Sequence, residues 1–408
     1  MNLDNRTVLL PRYVRDFSCI GADCEDSCCV GWSVPVDETT YSKYQRVNDE
    51  ELKPSLRGDI TRNKSNRGKR DYAFITLKEN SCCPFLNEEK LCKIQAKLGE
   101  DYLSSVCFTY PRVINKIDEG FERSLTLSCP EATRLALLNP AGIEFDHVEE
   151  TSYTGWSASK QLQTLGVKQQ NAQRFFWEIR IYTIEVLQNR SFSLQERLIF
   201  LGLFYQELQE LISNERVSLI PQLIRRYKEG MTTDQVEELN SNFVLQMQLL
   251  QELAEVRIQL GVTSQRYLEC YEEFIKGLSY SEEAAIQEVA TRYREAYQTY
   301  YEPFINEHEY ILENYLVNYV FHYLMPFGNY PTVFDEYMMM VVHYSLIKMH
   351  LIGIGAYHKG LTVDQTIKLI QSFAKTVEHS QPYLKKVFEL LHRNGYAKLP
   401  YIVTLIKN

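Results

Sequence analysis

Cys19-Ile20-Gly21-Ala22-Asp23-Cys24-Glu25-Asp26-Ser27-Cys28-Cys29 is the stretch on which the reading of this chain turns. It opens a series that continues through Cys82-Cys83-Pro84-Phe85-Leu86, Leu91-Cys92, Cys107 and Cys129. Nine of the ten cysteines fall in the first 129 residues, and Cys270 stands alone in the remainder. Such concentration marks a local task. Thiolates drawn together repel and raise one another's pKa unless a cation neutralises them.

Working outward, residues 1–150 read as a small, loop-rich α+β domain built around these cysteines. Short strands are expected at 72–77 and 122–127, and short helices at 39–47 and 94–103. Residues 53–70 are rich in Lys, Arg, Asn and Gly, and read as a solvated, mobile loop. The polar segment 149–159 reads as a linker. Beyond it, apolar residues recur every three or four positions. This predicts helices over 158–189, 194–212, 233–260, 265–278, 281–301, 308–324, 333–357, 363–379 and 382–393. Thr362 and Gln365 are placed to form a capping box. The expected fold is therefore mainly α: the Cys-rich α+β domain, followed by a large all-helical region over residues 151–408.

Composition narrows the partners. The formal net charge is -9, so the basic footprint of a nucleic-acid binder is missing. Residues 337–357 are apolar, but His343, Lys348 and His350 interrupt them, so they read as a buried helix rather than a membrane span. Met1-Asn2-Leu3-Asp4-Asn5-Arg6 lacks the basic and apolar regions of an export signal, and a cytoplasmic location is expected. Thiols stay reduced there, which favours metal or redox chemistry over disulfides.

The candidate metal ligands are Cys19, Cys24, Cys28, Cys29, Cys83, Cys92, Cys107 and Cys129. Cys82 is set apart because adjacent sulfurs rarely both reach one metal. Zinc asks for four N or S ligands and usually announces itself by paired C-x2-C motifs, which this chain lacks. An iron–sulfur cluster takes four thiolates at looser spacing. The count suits one cluster with spares, or two metal sites. Isolated Cys270 reads as a buried structural thiol.

These residues carry a family likeness. Residues 17–32, Phe17-Ser18-Cys19 through Gly31-Trp32, resemble the opening of the flagellin lysine-N-methylase family. So do Cys83-Pro84-Phe85-Leu86, Cys92-Lys93-Ile94, Cys107-Phe108-Thr109-Tyr110-Pro111-Arg112 and Leu127-Ser128-Cys129-Pro130-Glu131. The cysteine pattern is similar to that family's zinc- or iron-chelating cysteine-cluster domain. In the tail, Ile347-Lys348-Met349-His350-Leu351-Ile352-Gly353 and Ser372-Phe373-Ala374-Lys375-Thr376-Val377-Glu378-His379 resemble its C-terminal helical region.

The resemblance implies methyl transfer from S-adenosylmethionine to lysine side chains of flagellin, and an iron–sulfur cluster, [4Fe-4S], on the N-terminal cysteines. The chain departs from the C-x3-C-x2-C motif of radical enzymes using that donor, because Gly31 stands where the third cysteine would be. It also lacks the Gly-rich loop of common methyltransferases; Gly353-Ile354-Gly355 lies in a helical pattern. Two other readings use the same cysteines: a zinc-stapled protein-binding module without activity, and an iron–sulfur redox protein.

Lysine methylation needs a neutral amine and a site for a cationic donor. Aromatic faces hold such cations without attacking them. Tyr315, Tyr319, Tyr323 and Tyr344 are candidate walls, although plain helix packing is the favoured account of them. His343, His350 and His358 are candidate proton acceptors, and core or surface roles account for them as well. Arg12, Arg15, Arg112 and Arg134 lie near the cysteines in sequence and are candidates to offset thiolate charge.

Overall fold

The structure, a computed structural model, describes residues 5–32, 34–64, 68, 70–79, 81–151, 158–230, 242–281 and 284–407. Among them the strands are β1 (Asn5–Pro11), β2 (Val34–Val36), β3 (Ile60–Arg62), β4 (Ala73–Ile75), β5 (Arg112–Ile117), β6 (Gly120–Leu125), β7 (Phe145–Thr151) and β8 (Lys160–Leu162). Interleaved with them are α1 (Glu38–Gln45), α2 (Leu52–Gly58), α3 (Lys93–Leu98), α4 (Ser105–Thr109) and α5 (Pro130–Leu137). Then come α6 (Phe176–Leu187), α7 (Leu194–Ser213), α8 (Ile220–Glu229), α9 (Phe243–Gln259), α10 (Gln265–Gly277) and α11 (Ile286–Ala296). The chain closes with α12 (Glu302–His322), α13 (Val333–His358), α14 (Val363–Phe373), α15 (Gln381–Arg393) and α16 (Leu399–Ile406). The mainly α class, with a small cysteine-bearing α+β part ahead of a large helical one, is the observed fold.

The strands form two sheets. The larger runs β7-β1-β6-β5-β8, and the smaller runs β2-β4-β3. In the larger sheet β1 pairs antiparallel with β7, Val8 facing Val148, and parallel with β6, Val8 facing Phe121. Two hydrophobic cores follow from this. The smaller gathers Val36, Tyr44, Leu52, Leu56, Ile75, Phe85 and Ile94 around the three-stranded sheet. The larger joins the helices to Val8 and Leu10 of β1, Leu125 of β6 and Ala132 and Ala136 of α5. The five-stranded sheet is thus a floor of the helical body, and the small core hangs beside it.

Several sequence expectations need correction. Within 53–70, α2 and β3 replace the expected loop, because Leu52, Leu56 and Ile60, spaced by four, bury into the small core. Residues 65–67 and 69 of that segment lie outside the described residues. The helix expected from 158 begins only at Phe176. Before it, β8 pairs with β5, and the Asp118 carboxylate accepts from the backbone N–H groups of Thr164 (2.7 Å) and Leu165 (3.0 Å), closing a turn. The expected linker starts inside β7, where Glu149 and Glu150 face Thr7 and Arg6; residues 152–157 lie outside the described residues. The helix expected from 233 is described from Phe243, residues 231–241 lying outside.

The helical periodicity elsewhere matches closely. Thr362 and Gln365 form both halves of a capping box at the start of α14. Helix α13 is the one helix among the described residues that is long and apolar enough to cross a membrane, and its most apolar stretch is wholly buried in the core. Its neighbour α10 packs so closely that each helix presents a glycine at the crossing. A Cβ on Gly353 would lie 2.8 Å from the Phe274 carbonyl oxygen, and one on Gly277 would overlap the Gly353 carbonyl. Lys348 of α13 is fully enclosed, donates to the Ile406 carbonyl at 2.7 Å and lies 5.8 Å from the ring centres of Tyr344 and Tyr297. Burial pushes its amine down to about 7.

Two outcomes follow. Gly277→Ala forces backbone apart and is expected to cost about 1–3 kcal/mol or more, read as a lower urea midpoint. For Lys348 the depressed pKa means that the unfolded chain holds more protons than the folded one between about 7 and the free-lysine value of about 10.4. Stability should therefore rise with pH across that window. In Lys348→Met the rise should be smaller by this contribution, as measured by denaturation at pH 7 and pH 10.

Candidate metal centre

The cysteine loop has little regular structure. Gly21–Asp23 forms one 3-10 turn, and Gly21 adopts a φ of +60°. The Cys24 thiol donates to the Asp26 carbonyl at 3.2 Å, and the Cys29 N–H donates to Ser27 Oγ at 3.2 Å. Trp32 Nε1 donates to the Cys28 carbonyl at 2.6 Å, tying the loop end to an aromatic wall. A 2.8 Å bond from the Cys83 N–H to the Cys29 carbonyl joins the first cysteine group to the second. Cys83-Pro84-Phe85-Leu86 is a turn closed by the Leu86 N–H on the Cys83 carbonyl at 3.1 Å. Cys92 stands just before α3, and Cys129 just before α5. Cys107 lies in α4, whose cap Ser104 accepts from the Cys107 N–H at 3.3 Å.

These local devices deliver Cys19, Cys24, Cys28, Cys29, Cys83, Cys92, Cys107 and Cys129 to the walls of one cavity of about 600 Å³. All eight candidate ligands are there. Cys82, the one set apart, is not among the lining residues. No disulfide links any of the ten cysteines. Cys270 is buried in α10 within the helical core. Among the described residues, no three Cys, His, Asp or Glu side chains are arranged to hold a single ion.

The thiols feel one another. A hydrogen bond with Cys29, followed by desolvation of the sulfur among its neighbours, pushes the Cys28 thiol well up, although the residue as a whole is exposed. Burial pushes Cys83 and Cys129 up to about 12 and Cys107 to about 11; neighbouring thiolates add to each rise, Cys28 among them in every case. Without a cation Cys28, Cys83, Cys107 and Cys129 keep their protons at neutral pH. With one, the same crowding becomes a dense set of soft donors.

Of the four candidate arginines, only Arg112 is on the cavity wall, 5.2 Å from the Phe17 ring centre; burial lowers its pKa. Arg12 and Arg15 turn outward to Glu144 and Asp146. Arg134 pairs with Glu25 at 2.6 Å and Glu131 at 2.9 Å. Sequence reasoning missed Arg123, which lines the cavity and bonds Glu150 at 2.9 Å. It also missed the contacts that hold the loop. The Asp26 carboxylate accepts from Lys375 Nζ and from Gln371 Nε2, each at 2.7 Å. Lys375 also reaches the Ser27 carbonyl at 3.2 Å, and Gln371 the Ser128 carbonyl at 2.8 Å.

The tyrosine and histidine candidates lie elsewhere. Tyr315, Tyr319 and Tyr323 border a void of about 10 Å³, room for one water and none for a donor. Tyr315 and Tyr323 donate to Glu378 at 2.6 and 3.0 Å, and Tyr344 is buried against Lys348. His343 is buried without a hydrogen-bond partner among the described residues, and burial pushes it down to about 3. His350 is held by the Leu346 carbonyl at 2.7 Å, and His358 lies 3.2 Å from Glu273. None of these residues lines the cysteine cavity.

Comparison with known proteins gives a consistent family. The model of the FliB lysine N-methylase C-terminal domain matches residues 180–405. Flagellar biosynthetic protein FliU of Salmonella muenchen is 36% identical over 135 residues, 33% of this chain and 79% of that protein. The proteins named lysine-N-methylase in Salmonella choleraesuis and Salmonella typhimurium are also 36% identical over 135 residues, 33% of this chain and 33% of each relative. The match thus spans about a third of the length of those two. No solved structure matches the chain.

The cavity separates the eight cysteines that line it from Cys82, which does not. Cys28→Ala is expected to lose most of the iron or zinc that the oxygen-free protein carries, and Cys82→Ala to keep it, as read by elemental analysis.

Proposed function

This chain belongs to the FliB lysine N-methylase family, and on that footing we propose that it transfers methyl groups from S-adenosylmethionine to lysine side chains of flagellin. We also propose that its eight cavity cysteines hold an iron–sulfur cluster, [4Fe-4S], in a reducing cytoplasm. The relatives' names support the first part: two are lysine-N-methylases and one is a flagellar biosynthetic protein. The observation that carries the second is the single cavity lined by eight thiols.

The residues fit such a group. The donor set is all sulfur, and it is spread around a cavity rather than drawn to one point, which suits a multi-atom cluster gripped at its corners. Four thiolates suffice for one cluster, so the set holds more than the minimum. Bound there, the cluster would supply a fixed metal–sulfide charge centre that keeps the loops assembled.

The remaining chemistry falls to side chains. At about 600 Å³ the cavity is of the size that takes small ligands, and Phe17, Trp32, Phe108 and Tyr110 give it aromatic walls. Such faces hold a sulfonium cation without offering a nucleophile. Glu100, an exposed carboxylate on the same wall, attracts an incoming ammonium. A free lysine has a pKa of about 10.4, and moving it against these apolar walls disfavours its charged form. The neutral amine then carries the lone pair that attacks the methyl carbon, while the sulfonium sulfur leaves with the electron pair of the broken bond.

Purified, oxygen-free protein incubated with flagellin and donor is expected to add methyl groups to flagellin lysines, seen by mass spectrometry, and none without donor. Iron-loaded protein that methylates nothing would reject the activity. Colourless protein with stoichiometric zinc and no methyl transfer would favour a zinc-stapled binding module.

A further inference from the structure

Two acidic side chains, Glu25 and Asp26, fasten the loop bearing Cys19, Cys24, Cys28 and Cys29 to the helical body, and Asp26 is the better shielded of the two. Asp26 lies two residues before Cys28, and both of its carboxylate oxygens are engaged, Oδ1 by Lys375 and Oδ2 by Gln371, each at 2.7 Å. Asp26 and Lys375 are largely shielded, their side chains 15% and 16% exposed. Shielding matters, because an exposed ion pair is screened and does little. Lys375 also donates to the Ser27 carbonyl at 3.2 Å, next to Cys28, and its charge acts on the Cys28 thiol.

The position of Lys375 has a local cause. Residues Ala374–Glu378 form a π-helical turn after α14. Such wide turns inside helices re-aim side chains and recur at functional sites. Here the turn follows Gln371, so Gln371 and Lys375 both reach the cysteine loop.

Resting on the cluster reading above, we propose that Lys375 and Asp26 form an opposed charge pair that sets the reduction potential of the group held by the cavity cysteines. A nearby positive charge favours the reduced, more negative state, and a nearby negative charge opposes it. The other charges around the loop are mostly paired with one another: Glu25 with Arg134 and, at 3.9 Å, Arg266; Glu131 with Arg134; Arg123 with Glu150. Arg112 on the wall stays in place in all variants below. Gln371 provides a second, uncharged tether, because it holds Asp26 and the Ser128 carbonyl at once. Removing the Lys375 charge therefore changes the field while the loop stays docked.

The test is a dithionite redox titration of the oxygen-free whole chain, followed by absorbance and electron paramagnetic resonance, with iron measured in every sample. Lys375→Met is expected to shift the midpoint to more negative potential and Asp26→Asn to more positive potential. Lys375→Arg should stay near wild type, and the double variant Lys375→Met with Asp26→Asn should return towards it. Shifts of the same sign, or no shift with iron retained, would overturn the proposal. Loss of iron from both single variants would overturn it too, since Gln371 is assigned to keep the loop in place. Wild-type protein without iron would reject the cluster reading itself, and the wild-type iron assay identifies that case before any variant is compared.

Discussion

The contact on which the site depends is the carboxylate of Asp26 between Lys375 and Gln371. Four of the eight cavity thiols lie on a stretch that forms only one 3-10 turn and has no buried residue in it. Such a loop gains little from hydrophobic burial, and the entropy of ordering it must be offset by something else. Shielded charge-assisted hydrogen bonds, worth roughly twice a neutral one, supply this. Because their partners are on and just after α14, the order of the loop is tied to the helical body, while its last cysteine, Cys29, joins it to the small core. The other four are anchored differently: Cys83 is buried in the small core and Cys92 and Cys107 pack against it, whereas Cys129 packs against the large core. The cavity therefore sits at a seam, one wall carried by each packing unit.

This seam explains what the sequence revealed and what it hid. Helices α7, α10, α13 and α14 were legible because their evidence is local: apolar spacing and a capping box at Thr362. Strands β1 and β7 were not, because β1 finds its partners more than a hundred residues away. The same reason hid β8, three residues long and stable only beside β5. Residues 53–70 misled through composition: many charges conceal Leu56 and Ile60, which with Leu52 just before them carry α2 and β3 into the small core. At the site, cysteine count and spacing singled out the eight lining thiols, Cys82 excluded. Lys375 and Arg123 escaped because nothing in their own neighbourhoods marks them as partners of a loop far away in sequence. The one available signal was that Lys375 falls within the tail stretch that resembles the family.

Electrostatics also separates two kinds of buried polar residue. Buried polar groups around α12 and α13 close on one another, such as Glu378 with Tyr315 and Tyr323, or Lys348 with the Ile406 carbonyl. They stabilise the core and leave no room for a ligand. The cysteine cavity is the reverse: burial and neighbouring thiols raise Cys83 and Cys129 in pKa, and it is large. Crowding that is unfavourable among bare thiolates is what a bound cation repays. Perturbation arising from a cavity, rather than from packing alone, is the better mark of a functional site.

The missing third cysteine of the familiar three-cysteine motif has a physical counterpart here. Gly31 adopts a φ of +87°, and its N–H donates to the Ser81 carbonyl at 3.0 Å. A side chain at that position would be strained, since L residues rarely adopt this conformation. The turn that makes it possible is also what brings Val30 beside Cys82 and the Cys29 carbonyl onto the Cys83 N–H. A local third ligand is thus exchanged for a backbone joint between the two cysteine groups. In its place the fold brings Cys129, about a hundred residues distant, close enough to Cys24 and Cys28 that their charges raise its pKa. Under the cluster proposal, ligation built this way cannot form on the loop alone. It requires α5 and the five-stranded sheet to be in place first, so uptake of the inorganic group should follow folding of the helical body rather than precede it.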